Sequence, residues 1–291
     1  MAMTEALSIY LENGTTKAYL KNKQVGIIEN LQKTTLSARL KSKNANLSQA
    51  AGSYEFKRFA NATVNDYGTA RTAGKGSVIK APPVVVNMDI NKEIVEEVNF
   101  FDANGSFTDD SFKGIVDQRA NNYSLVFDDW NDVTFFATAK AGGTAGADIS
   151  EAKDVREQVE TIIQTLEMTG KGGNTNAYVK GVDRKYMAMV CSPKLYGKIK
   201  NELNDCYNFS GTAADELVKG LNGVAIYSSV NLPDGCDYVL MTQDSIAQPV
   251  IVNEFNAEKI PMSVDYALGL FWRAGSKVLA KELVYYGAVT A

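Results

Sequence analysis

The stretch DDSFKGIVDQRANNYSLVFDDWNDVTFFATAK, residues 109–140, constrains the fold more than any other part of the chain. Phe112, Ile115, Val116, Tyr123, Val126, Phe127, Trp130 and Val133 recur at three- and four-residue steps along one stripe, the spacing of an amphipathic helix. Asp109 and Asp110 suit its N-terminus, where the helix dipole favours negative charge, and the glycines of AGGTAGA stop it. At 1.5 Å per residue, roughly thirty residues make a rod of about 45 Å, long for a domain of this size. The pattern predicts a strut.

Ahead of the strut lies a long hairpin. Tyr54, Phe56, Arg58, Ala60, Ala62 and Val64 share one face by period two, and Val84, Val86, Met88 and Ile90 do the same on the way back. Between them is a Gly-, Ala- and Thr-rich tip with Asp66, Tyr67, Arg71, Lys75 and Lys80. On a projecting arm, Tyr54, Phe56, Phe59, Tyr67, Val78 and Ile79 would expose a sizeable apolar surface, which calls for a partner; a plain long surface loop is the alternative.

GTARTAGKGS, residues 68–77, looks like a phosphate-binding loop, but the spacing fails. A P-loop needs G-x-x-x-x-G-K-[ST]. Here five residues separate Gly68 from Gly74, Lys75 is followed by Gly76, and Pro82 and Pro83 forbid the helix that should follow.

With 291 residues, 45% hydrophobic and 22% charged, the chain is expected to form one folded unit with two lobes. No run approaches the ~20 apolar residues of a membrane span, and the N-terminus lacks a signal pattern, so the chain is expected to stay where it is made. A net charge of −4 argues against a protein that grips nucleic acid through its phosphates. Cys191, Cys206 and Cys236 form no CxxC and read as reduced thiols.

The chain has no histidine, which removes Ser-His-Asp and Cys-His catalysis and the commonest transition-metal ligand. Asp128, Asp129 and Asp132 spell DDxxD, the magnesium-diphosphate motif of terpene synthases, but those are all-helical and need a second acidic motif. The three aspartates avoid the apolar stripe and read as a solvated face. Ser150 and Lys153 form S-x-x-K, yet no S-D-N or K-T-G partner follows. A helix stripe of Val155, Val159, Ile162, Ile163 and Leu166, capped by Asp148 or Ser150 and ended by Gly170, accounts for that stretch. Cys191 lies before a helix start at Ser192-Pro193, and without histidine reads as core rather than nucleophile.

The remainder alternates. RKYMAMVC reads as a buried strand before SPKLYGKIKNEL, and GVAIYSSVNLP, DYVLMTQDS and PVIVNEF as further strands. ALGLFWRAG and SKVLAKELVYYGAVTA read as a closing hairpin, and the first fifty residues as a polar, extended or partly helical arm.

The order of parts is therefore polar arm, long hairpin, strand, strut helix, α/β lobe and closing strands. In that order the chain resembles the major capsid proteins of tailed phages, the Hong Kong 97-type fold. The likeness lies in YEFKRFANATVNDYGTARTAGKGSVIKAPPVVVNMDINKEIVEEVNFFD as extended loop and adjoining strand, and in SFKGIVDQRANNYSLVFDDW as spine helix. MVCSPKLYGKI and LNGVAIYSSVNLPDGCDYVLM stand as the axial lobe, and ELVYYGAVTA as the last peripheral strand.

The resemblance implies an α+β, Hong Kong 97-like capsid fold. Its parts would be an N-terminal arm (1–51), an extended β-hairpin loop with adjoining strand (52–90), a peripheral domain with the spine helix (91–148), an α/β axial domain (149–248) and a return to the peripheral domain (249–291). It implies a structural coat protein of the virion, assembled in the host bacterial cytoplasm into pentamers and hexamers of an icosahedral shell. Double-stranded DNA would be held by containment. No catalytic, cofactor or metal site and no membrane contact is expected; scaffolding, portal and decoration proteins would be further partners.

The contact candidates between subunits are Tyr54, Phe56, Lys57, Arg58, Phe59, Tyr67, Arg71, Lys75 and Lys80, the basic ones meeting acidic groups on a neighbour. Some members of the family weld a loop lysine to a neighbour's asparagine beside a glutamate. Lys75 or Lys80, Asn253 or Asn256, and Glu254 or Glu258 would be cast in those roles. Two other readings stay open: a shell protein of an encapsulin-like nanocompartment, and a histidine-free hydrolase using Ser150 and Lys153.

Overall fold

The structure, a computed structural model, describes residues 35–42, 52–64, 66–67, 79–98, 109–171, 176–207, 223–252, 256–263 and 265–290. In chain order its elements begin with a short helix α1 (Ser37–Leu40), strands β1 (Ser53–Lys57), β2 (Pro83–Asn87) and β3 (Ile90–Val98), and the long helix α2 (Asp109–Gly142). Strands β4 (Thr144–Ala145) and β5 (Ile149–Ser150) precede α3 (Val155–Glu167), and β6 (Met187–Cys191) feeds α4 (Pro193–Tyr207). Then come β7 (Ala225–Ser228), β8 (Tyr238–Thr242), β9 (Ile246–Ala247), β10 (Val250–Val252), β11 (Asn256–Lys259) and β12 (Tyr266–Ala274). The last strands are β13 (Lys277–Val278), β14 (Val284–Gly287) and β15 (Val289–Thr290). The expected strut is thus present as a single helix.

Among the described residues two compact units form, one from Ile90–Trp130 and Val250–Arg273, the other from Thr35–Asp89, Asn131–Pro249 and Ala274–Ala291. The second is built on a five-stranded sheet in the order β4-β14-β8-β6-β7. Strand β6 runs parallel to β7, and β8 runs antiparallel to both β6 and β14. All five residues of β6 are buried, so it reads as an apolar run rather than an alternation.

Met187, Met189 and Cys191 of β6 face one cluster, with Val159, Ile163 and Leu166 of α3 and Leu195 and Ile199 of α4. Ala188 and Val190 face the other, with Phe135, Phe136 and Ala139 of α2 and Leu36 and Leu40 of α1. Helices therefore cover both faces, and each large apolar side chain so buried contributes on the order of 1.5–3 kcal/mol before chain entropy is counted.

Carboxylates stitch this unit to backbone N–H groups that its helices and strands leave unpaired. Asp154 caps α3 by accepting from Glu157 N at 3.0 Å, which corrects the expected cap at Asp148 or Ser150. Glu202 of α4 accepts from Val155 N and Arg156 N at 3.1 and 2.9 Å, where the helix dipole favours a negative charge. Asp237 accepts from Val289 N and from the Ser192 hydroxyl, and Asp148 accepts from Ala288 N.

Two expectations for α2 need correction. Val126 and Val133 are each 46% exposed, whereas Tyr123 of the expected stripe is buried and, further along the helix, so are Phe135, Phe136 and Ala139. Asp132 is not on a solvated face. It is 1% exposed and accepts from the backbone N–H groups of Leu36 and Ser37. The stripe does not carry through to Val133, because the helix passes from one unit to the other between Trp130 and Asn131.

The other unit centres on β12, which pairs with β10, β11 and β3. Trp272 meets Phe127 and Trp130 of α2 edge-on, with ring centroids 5.3 and 5.4 Å apart. Arg119 reaches Glu96 of β3 at 3.3 Å. The closing segments do not form the expected hairpin: β12 belongs to this sheet, whereas β13 pairs with β9 and β14 with β8 and β4. Gly275 lies just after β12, where a side chain would sit 2.2 Å from the Asn87 carbonyl oxygen.

Candidate functional site

The candidate surface is the arm that starts with β1 and β2. They pair antiparallel, with Tyr54 opposite Val86 and Phe56 opposite Val84, so the four apolar residues share a face as the alternation requires. The burial pattern of β1 alternates, Glu55 and Lys57 being exposed and 3.7 Å apart. The ladder stops at Lys57–Pro83, sooner than the sequence alternation through Val64 suggested. Pro82 and Pro83 have no N–H to donate, which ends the pairing. Single backbone bonds follow, from Ala60 N to Lys80 O at 3.0 Å and from Asn61 N to Ala177 O at 2.9 Å.

Past the ladder, four large apolar side chains of the described part of the arm are open to solvent. Phe59 is 64% exposed, Val64 and Tyr67 92% each, and Ile79 79%. Lys80 is exposed as well. Arg71 and Lys75, and with them the tip over 68–78, lie outside the described residues, as do the 1–34 arm, Asn253 and Glu254. The side chains of Phe112, Ile115, Val116, Cys206 and Asn256 lie outside them too.

Arg58 is the less exposed of the two basic residues at the root of the arm. Its guanidinium pairs with Glu282 at 2.5 Å and lies 4.7 Å over the Tyr178 ring, so its charge is met within its own chain. Phe56, Arg58, Thr242, Asp244, Leu279 and Leu283 line a cleft of about 280 Å³ at the root of the arm. Sequence reasoning missed Tyr178 and Glu282, because nothing local links positions so far apart along the chain.

The catalytic motifs find no matching geometry. Ser150 ends β5, Lys153 N donates to the Ser150 carbonyl at 3.3 Å in the turn that follows, and the helix begins only at Val155, so the S-x-x-K does not lie on a helix. Cys191 is fully buried, and burial, with Asp237 adding, pushes its thiol far above the ordinary range. Among the described residues no group of three His, Cys, Asp or Glu side chains could hold a metal ion, and no helix is long and apolar enough to cross a membrane.

Known structures match over nearly the whole chain. A Mycobacterium phage Che8 structure aligns over 89% of this chain and 93% of its own, with 17% identity and a TM-score of 0.64. The capsid of cyanophage P-SCSP1u covers 91% and 90%, with 14% identity and a TM-score of 0.66. The capsid of Ralstonia phage GP4 covers 91% and 94%, with 12% identity and a TM-score of 0.66. No protein-family model matches the chain, and no curated protein matches its sequence. The fold is the mixed helix-and-sheet fold of Hong Kong 97-like phage capsid structures. At identities this low the match speaks for the fold alone.

Proposed function

We propose that this chain is a major capsid protein, a structural subunit that tiles with copies of itself into pentamers and hexamers of an icosahedral shell around double-stranded DNA. The observation that carries the proposal is the arm: a chain with a capsid-subunit fold leaves Phe59, Val64, Tyr67 and Ile79 exposed to solvent within one loop segment. Large exposed apolar side chains clustered on one loop mark an interaction surface. A neighbouring copy is the partner the fold supplies.

In this reading Lys57 and Lys80 supply charge at the contact, with Arg71 and Lys75, while Arg58 holds the arm to its own body. Each exposed ion pair adds only about 0.2–1 kcal/mol, so the apolar residues carry the contact. Net negative charge fits DNA held by enclosure, in a virion assembled in the bacterial cytoplasm. Scaffolding, portal and decoration proteins are the further partners, and a Lys–Asn weld through Lys75 or Lys80 belongs to the same proposal. No catalytic role is assigned.

Negative-stain electron microscopy of the expressed protein tests the proposal. Closed shells or capsomers are expected; a monomer at high concentration overturns it. Particles filled with protein cargo rather than DNA would favour the encapsulin-like reading. Labelling of Ser150 by a fluorophosphonate would favour the hydrolase. Denaturing electrophoresis of particles decides the weld, since unlinked chains run at 31.6 kDa.

A further inference from the structure

Asp132 is the one aspartate of the DDWND run that the structure buries, and its partners lie 95 and 96 residues away in sequence. Both carboxylate oxygens accept from Leu36 N, at 3.0 and 2.9 Å, and one accepts also from Ser37 N at 2.7 Å. Leu36 occupies the N-cap position of α1, where its own side chain can accept nothing. The first N–H groups of a helix have no partner within the helix, so the cap comes from Asp132 instead.

A four-residue helix does not stand alone, since nucleation costs more than so few bonds return. Three other contacts hold this one. Leu36 and Leu40 enter the cluster of Phe135, Phe136, Met241 and Ile246. Arg39 lies 5.3 Å over the Tyr227 ring, and Ser42 N donates to Ile246 O at 2.8 Å. All these contacts join residues 35–42 to distant parts of the chain, and the segment itself forms no strand of a sheet.

We propose that residues 35–42 form a separable strap, and that the Asp132 carboxylate is the positioning residue that keeps it docked. One side chain of α2 then sets the place where the residues before Thr35 join the body. A released strap would leave Phe135 and Phe136 without the cover of Leu36 and Leu40. The proposal does not depend on the capsid reading, because it concerns one copy of the chain.

Limited trypsin digestion of unassembled full-length protein tests it, with Asp132→Asn and Asp132→Ala beside wild type. Cleavage after Arg39 and Lys41 should rise about tenfold or more in Asp132→Ala, which leaves two buried N–H groups unpaired. The increase should be smaller in Asp132→Asn, which keeps one oxygen acceptor. Cleavage after Lys140 and Arg156 should stay at the wild-type rate. Equal acceleration at all four sites would mean that Asp132 supports the whole fold, and no acceleration that it does not hold the strap; either result overturns the proposal. Should both variants fail to fold, hydrogen exchange on wild type decides. Amides of residues 36–42 should open at lower denaturant than those of Met187–Cys191, and equal protection would overturn the strap.

Discussion

The Arg58 guanidinium lies 2.5 Å from the Glu282 carboxylate and 4.7 Å over the Tyr178 ring, tying the root of the arm to two places more than a hundred residues downstream. Both charged side chains are about a quarter exposed, so the pair is only partly screened. Glu282→Gln should lower stability by about 1 kcal/mol, read as a small drop in melting temperature. Tryptic cleavage after Lys57 and Arg58 should quicken. An unchanged melting temperature and cleavage rate would show that the arm does not rely on this pair.

The exposed arm residues should matter to assembly and not to folding. Replacing Phe59, Val64 and Ile79 together with serine removes apolar surface that is exposed on the single chain, so the single subunit should change by less than about 0.5 kcal/mol. Sedimentation velocity should show particles lost and subunits gained. Normal particles from this variant would remove the arm from the contact.

Two glycines should respond to alanine with opposite signs. Gly170, three residues past the end of α3, has a φ of +79°, and a side chain there would sit 1.9 Å from the Val179 carbonyl oxygen. Gly170→Ala should cost more than the ~1–2 kcal/mol of the left-handed backbone alone. Gly197 lies inside α4 with nothing within 4 Å of an added carbon, so Gly197→Ala should stabilise by roughly 0.5–1 kcal/mol. Chemical denaturation of both variants checks the pair.

Alkaline pH should loosen the second unit through its buried thiols. Burial pushes the Cys236 thiol from its ordinary value of 9.0 up to about 11, and the Cys191 thiol further still. The folded state then keeps protons that the unfolded chain loses above about pH 9. Stability is full below that pH and falls as pH rises towards 11, by up to about 1.4 kcal/mol per pH unit for each thiol. Cys236→Ser should flatten this fall in urea titrations between pH 8 and 11. A slope unchanged by the substitution would assign the loss to other groups.

Sequence alone carried the local elements well. The α3 stripe of Val155, Val159, Ile162, Ile163 and Leu166 is buried as spaced, and the run MAMVC is a strand covered on both faces. Pro193 begins α4 behind Ser192, whose hydroxyl accepts from Leu195 N at 3.4 Å. In each case periodicity and capping chemistry act within a few residues, which is the range over which a sequence can be read directly.

What only tertiary structure decided are the pairings of distant residues. The closing segments look like a hairpin, yet β12 and β14 enter different sheets. Asp132 looks like a surface acid until α1 brings two unpaired N–H groups to it. Arg58 looks like a charge for a neighbour until Glu282 and Tyr178 meet it. Spacing along the chain determines which face of an element is apolar. Which polar group is buried, and against what, depends on desolvation and hydrogen bonding between segments that meet only once the chain has folded.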